Sequence, residues 1–242
     1  MAETIERDVV DRAALQRRTL TSLRMAQVPG QAAVAGMVAV VTLLASDMLG
    51  SDRLAGIGSA SFTLGAALTM VPLAAFMRRR GRRPGITAAF LIGAAGGAIA
   101  AAGGQLRFFP LFVIGMILFG AGQASTLQGR YVAADLAEPE HQATAIAAIV
   151  WIGALGAVSG PLLTPFEKAA ARSIGLDELI GPFVFATFMF LIAAAVVWSR
   201  LRPDPLAVSG GIDPTAKRTR PIKQVRASID VIAQSSGARL GF

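Results

Sequence analysis

Between two long apolar runs the chain places Met77-Arg78-Arg79-Arg80-Gly81-Arg82-Arg83-Pro84, five arginines in six positions. Residues 54–76 precede this run and residues 85–104 follow it. About 20 apolar residues cross the hydrocarbon of a bilayer, so each flank is long enough to span one. The arginines then read as a tight cationic turn between two membrane helices. The positive-inside rule puts that turn on the cytoplasmic side and orients the rest of the chain.

The same reading extends in both directions. Further apolar runs occupy residues 31–50, 109–128, 143–164 and 181–198, giving six spans joined mostly by short turns. Residues 1–29 read as a cytoplasmic amino-terminal arm of mixed charge, 30–199 as one six-helix transmembrane bundle, and 200–242 as a basic cytoplasmic tail. Both termini therefore face the cytoplasm of a multi-pass protein of the cell membrane. Residues 165–180 form the one longer outer loop, carrying Glu167, Lys168, Arg172, Asp177 and Glu178. Of the 23 lysines and arginines, only Arg53, Arg107, Lys168 and Arg172 fall on the proposed outer side, which is a strong orientation signal.

Composition agrees. Only 16% of residues are charged, against roughly 25% in soluble domains. The net charge of +8 would suggest nucleic acid in a soluble chain. Here the basic residues flank membrane runs, so anionic lipid head groups are the expected partner and nucleic acid is not. The chain has no cysteine, which removes disulfides and cysteine metal sites. Backbone polar groups in hydrocarbon must be satisfied within the segment, so the spans are expected to be helices, an all-α membrane fold. Lipid gives no hydrophobic drive for helix association, so small residues such as Gly93-x-x-x-Gly97 and Gly156-x-x-x-Gly160 are expected at the contacts.

Three stretches carry more than packing. Arg79-Arg80-Gly81-Arg82-Arg83 joins the second and third spans, and Asp135-Leu136-Ala137-Glu138-Pro139-Glu140 joins the fourth and fifth. The fifth span contains Gly156-Ala157-Val158-Ser159-Gly160-Pro161. Together they resemble the major facilitator superfamily of secondary transporters over about residues 30–205. The first is similar to the end of that family's loop motif, and the third to the Gly-Pro motif of its proton-coupled antiporters. Residues 129–137 and 201–206 are similar to an actinobacterial drug/proton-antiporter-like branch. The loop departs from the motif in two respects: an acid precedes the first arginine in the family, where Arg78 stands here, and the motif's leading glycine falls on Ala74. Family members have twelve spans in two halves, each half an inverted three-plus-three repeat. The resemblance therefore implies the amino-terminal half of a longer transporter. It would work by alternating access on a small solute, with a second six-helix half or a dimer mate as partner. The alternative is a six-span binding or assembly subunit without transport.

The resemblance also assigns roles. Arg79, Gly81, Arg82 and Arg83 with Asp135 would form a conformational latch, supported by Glu138 and Glu140; the other reading of the arginines is a charge run that only sets topology. Gly156, Gly160 and Pro161 would bend the fifth span. Asp47 is an acid inside an apolar run near its outer end, either a proton carrier or an acid at a wetted helix end. Gln123 and Gln128 lie five residues apart, too far round a helix to face one point, so one of them would line a substrate cavity. Arg130 would either face that cavity or snorkel to the membrane surface. No metal site is expected, because His141 is the only histidine and has no clustered partners in the sequence. No hydrolase elbow, zinc-protease or phosphate-loop motif occurs, so the chain reads as no enzyme and as needing no cofactor beyond a proton gradient.

Overall fold

The computed structural model describes the backbone of residues 2–212 apart from Leu136, Glu138 and Ser209, with side chains from Ala14 onward. The described residues form helices and turns: α1 (Ala2–Val38), α2 (Val41–Leu49), α3 (Gly56–Arg80), α4 (Arg82–Gln105), α5 (Phe109–Ala134), α6 (Gln142–Ser173), α7 (Gly181–Arg200) and the short α8 (Pro205–Val208). Six segments are long and apolar enough to cross a membrane, α1 and α2 counting as one broken segment. The boundaries follow local chemistry. Gly50 ends α2 in the left-handed region at φ 61°, and Gly81 parts α3 from α4 at φ 99°. Pro110 and Pro182 stand in the first turns of α5 and α7, where a missing N–H costs nothing.

Two elements run further than the sequence suggests. α1 runs without a break from inside the proposed arm into the first apolar run. Thr19, Ser22, Leu23, Ala26 and Gln27 are buried. The Gln16 side-chain amide donates to the Ala133 carbonyl (2.8 Å) and the Ser22 hydroxyl to the Arg200 carbonyl (3.1 Å). These polar residues thus reach carbonyls in the last turns of α5 and α7. A polar stretch of that kind looks like a solvated arm until the helix ends it covers are known. The second case is α6, which passes through Pro161 and Pro165 and continues to Ser173. The expected outer loop is therefore helical over its first half, including Glu167. Proline is tolerated inside membrane helices because neighbours support the freed backbone groups.

The contacts have an internal symmetry. α1 packs along α6 as α5 packs along α3, α4 lies on α5 as α7 lies on α1, and α4 meets α7. Exchanging the first three spans for the last three maps this set onto itself, as an inverted three-plus-three repeat does. Small residues make the close approaches. A side chain at Gly93 would stand 2.8 Å from Gly122 Cα, and one at Gly160 would stand 2.6 Å from Gly36 N. The centre of the bundle is filled by Phe112, Phe119, Phe183 and Phe190, with Phe119 and Phe190 ring centroids 4.8 Å apart. α3 and α6 are the least covered spans, and Leu68, Trp151, Leu155 and Leu162 stand exposed on them.

Candidate functional site

At the end of the bundle that carries the arginines, helix electrostatics explain the local design. Arg78, Arg79 and Arg80 occupy the last turn of α3, where cations complement the negative end of the helix dipole. Arg82 and Arg83 open α4, where cations oppose the positive end. Two carboxylates answer them. Asp135, just past α5, takes Arg82 in a bidentate pair, Nε to Oδ2 at 2.8 Å and Nη2 to Oδ1 at 3.1 Å. Both side chains are only 16% exposed, so this pair is far drier than an ordinary surface bridge. Asp204, beyond α7, accepts the backbone N–H of Arg82 (3.1 Å) and of Arg83 (2.7 Å) and caps α4. It also accepts from Leu206 N at 2.9 Å, which fixes the turn into α8.

Gly81 is required here twice over. Its φ of 99° disfavours any side chain, and a Cβ would collide with the Asp204 carboxylate. Arg83 lies with its guanidinium 3.9 Å from the Trp198 ring centroid and donates Nε to the Trp198 carbonyl at 2.9 Å. Arg79 is half-buried in the last turn of α3. The α3–α4 turn is thereby tied to the end of α5 and to the chain leaving α7. Of the expected cluster, Arg82 meets Asp135 directly, while Gly81 and Arg83 meet Asp204. Glu140 is exposed, and Glu138 lies outside the described residues, as does the basic tail beyond Ile212. Asp204 was not singled out in the sequence; Pro203-Asp204-Pro205, a turn-forming string with one acid, was the available signal.

Asp47 lies at the opposite, far end. It is exposed and accepts from Arg107 Nη1. Arg107 holds a positive φ of 53° in the turn between α4 and α5, and its Nη2 also reaches Asp177 Oδ2 at 3.3 Å. Three connections of the bundle thus meet at one arginine.

In the interior, Gln128 is buried, while Gln123 and Arg130 are half-buried. The Gln123 carbonyl and Oε1 both accept from the Thr126 hydroxyl, at 2.8 and 3.3 Å. Two interior polar residues were missed. Gln27 of α1 packs against Gly153 of α6, and its buried Nε2 has no acceptor among the described residues. Glu167 is buried on α6 beyond Gly156 and Gly160, which lie on the face of α6 turned to α1, while Pro161 is exposed. Among the described residues no group of three or more His, Cys, Asp or Glu stands close enough to hold a metal ion.

Against known proteins, the family model described as "Major Facilitator Superfamily" matches residues 29–234. Two proteins of Bacillus subtilis (strain 168), named uncharacterized MFS-type transporters YdeG and YddS, are similar. YdeG is 39% identical over 201 residues, covering 82% of this chain and 46% of its own length. YddS is 40% identical over 206 residues, covering 84% and 47%. The riboflavin transporter RfnT of Brucella anthropi is 29% identical over 196 residues, covering 79% and 48%. The chain spans about half the length of the curated relatives it matches. Among solved structures, the human organic anion transporter MFSD10 (TETRAN) superposes with a TM-score of 0.65 at 19% identity, over 84% of this chain and 51% of that one. At that identity the likeness speaks for the fold alone.

Proposed function

Because the chain belongs to the Major Facilitator Superfamily, a family of membrane transporters and not of enzymes, we propose that it forms one six-helix half of a secondary transporter working by alternating access. The observation that carries this reading is the match over residues 29–234 on a bundle whose contacts repeat as three plus three. The exposed apolar faces of α3 and α6 supply a surface for a second half, either the continuation of the polypeptide or a dimer mate. The arginine end faces the cytoplasm of the cell membrane, with both termini on that side, because the lysines and arginines concentrate there. The Arg82–Asp135 pair, with Asp204 beneath the turn, acts as the latch that holds one state. The bend of α6 at Gly156, Gly160 and Pro161 shapes the path through the half. Arg130 and one of Gln123 and Gln128 belong to the solute path, with Gln27 beside them. The transported species is a small solute exchanged for protons in the efflux direction, and the driving force is the proton gradient, with no bound cofactor.

Reconstitution into liposomes tests this, with riboflavin and ethidium as probes and a pH gradient across the membrane. The chain is assayed alone and with a second six-helix half, either its own continuation or the distal half of YdeG. Movement of a probe only when both halves are present is the expected result. No movement with any second half would favour a six-span assembly subunit.

A further inference from the structure

The far half of the seam between α1 and α6 holds a carboxyl group with nothing to pair it. Glu167 is 7% exposed, and both its oxygens are buried without a donor among the described residues. It sits on the buried stripe of α6 that includes Ile149, Gly153, Gly156, Gly160 and Ala171, where every other member is apolar. Gly36 of α1 faces it, and a Cβ there would be 3.7 Å from Glu167 Oε2, an ordinary contact. Gly181, where α7 begins, lies directly on the Glu167 backbone. The carboxyl is therefore enclosed by α1, α6 and the start of α7.

Among the described residues no countercharge is aimed at it. α1 and α2 carry no ionisable residue between Arg24 and Asp47, and α7 has none before Arg200. Lys168 and Arg172, on its own helix, pair with Glu178 of the turn before α7, at 3.6 and 3.4 Å. Asp47 and Asp177 both pair with Arg107. A bare carboxylate in such a place loses its hydration and gains neither a donor nor a cation, so the closed seam admits the neutral acid and not the anion.

We propose that Glu167 is a proton-binding site whose neutral form lets the far half of the α1–α6 seam close, so that proton release and seam opening are one event. An open groove lined by Ala39, Thr164, Lys168, Arg172 and Glu178 among others runs along the neighbouring turns of α6, and the Glu167 carboxyl is shut off from it in this closed seam. On opening, water enters the seam, the O–H bond of the carboxyl breaks and that water takes the proton, becoming hydronium. The bonding pair stays on the carboxylate, which the incoming water hydrates. On closing, the carboxylate takes a proton back. As the coupling step of transport this rests on the reading above; as a protonation site it does not.

Infrared difference spectra against pH, on the chain in lipid vesicles, test the site. A protonated-carboxyl C=O band present at neutral pH, lost in Glu167→Gln, displaced in Glu167→Asp and kept in Asp47→Asn is the expected result. A band unchanged in Glu167→Gln overturns the proposal. The coupling role is read in liposomes that hold both halves and transport riboflavin or ethidium. There Glu167→Gln should lose pH-driven uptake yet keep exchange of labelled for unlabelled probe, which a merely misfolded variant would also lose. Full pH-driven uptake in that variant removes the role. Wild-type vesicles that move neither probe while the band still titrates count against the transport reading alone.

Discussion

The two ends of the bundle both join helix connections through one arginine, yet they do it in physically different ways. At the arginine end, Arg82 and Asp135 meet through two parallel hydrogen bonds, each side chain 16% exposed. At the far end, Arg107 divides its guanidinium between Asp47, through Nη1, and Asp177, through Nη2, grips neither carboxylate with two parallel bonds, and remains half in solvent. Partial burial raises what each contact is worth and also what its loss costs, because the remaining charge is stranded. The first arrangement suits a clasp with two definite states. The second suits a surface tie that solvent and salt can replace.

That contrast can be broken by substitution, with unfolding in detergent micelles as the readout. The largest effect is expected for Asp135→Ala, which strands the Arg82 guanidinium and should cost about 3 kcal/mol. Adding Arg82→Leu should recover part of that loss; additive losses would mean that the two side chains do not act as a pair. Gly81→Ala should follow at about 2 kcal/mol, because it forces a side chain to a positive φ against Asp204. Asp204→Ala removes the cap of α4 and should cost about 1 kcal/mol, with Asp204→Asn closer to wild type. Arg107→Ala should cost least, about 0.5 kcal/mol, and should approach zero in high salt. Equal costs for Asp135→Ala and Arg107→Ala would erase the distinction between the ends.

How much of this was legible in the sequence depends on which physics wrote each feature. Six spans and the arginine turn are readable because hydrocarbon imposes a length and a charge asymmetry on the chain directly. The tie from Arg82 to Asp135 was readable as a pairing of loops through the family resemblance. Asp204 was not, because no spacing rule links positions 82 and 204. The polar face of α1 around Gln16 and Ser22 was read as an arm because its partners are backbone carbonyls, which every sequence has and no pattern marks. Glu167 was assigned to a loop because the apolar run ends before Pro165 and mixed charges follow it. In a membrane helix proline is a weaker stop than in water, and the carboxyl that follows it is carried into the packed seam.

The account stands on six crossings that put the arginine end on the cytoplasmic face. The chain has no cysteine, so single cysteines report their side of the membrane without background. Leu106→Cys and Ser173→Cys mark the far end, and Glu140→Cys and Ser199→Cys mark the arginine end; all four positions are exposed. With a membrane-impermeant maleimide, the first two should label in intact cells and the last two only after permeabilisation. Labelling of all four from one side, or the reverse pattern, would contradict it.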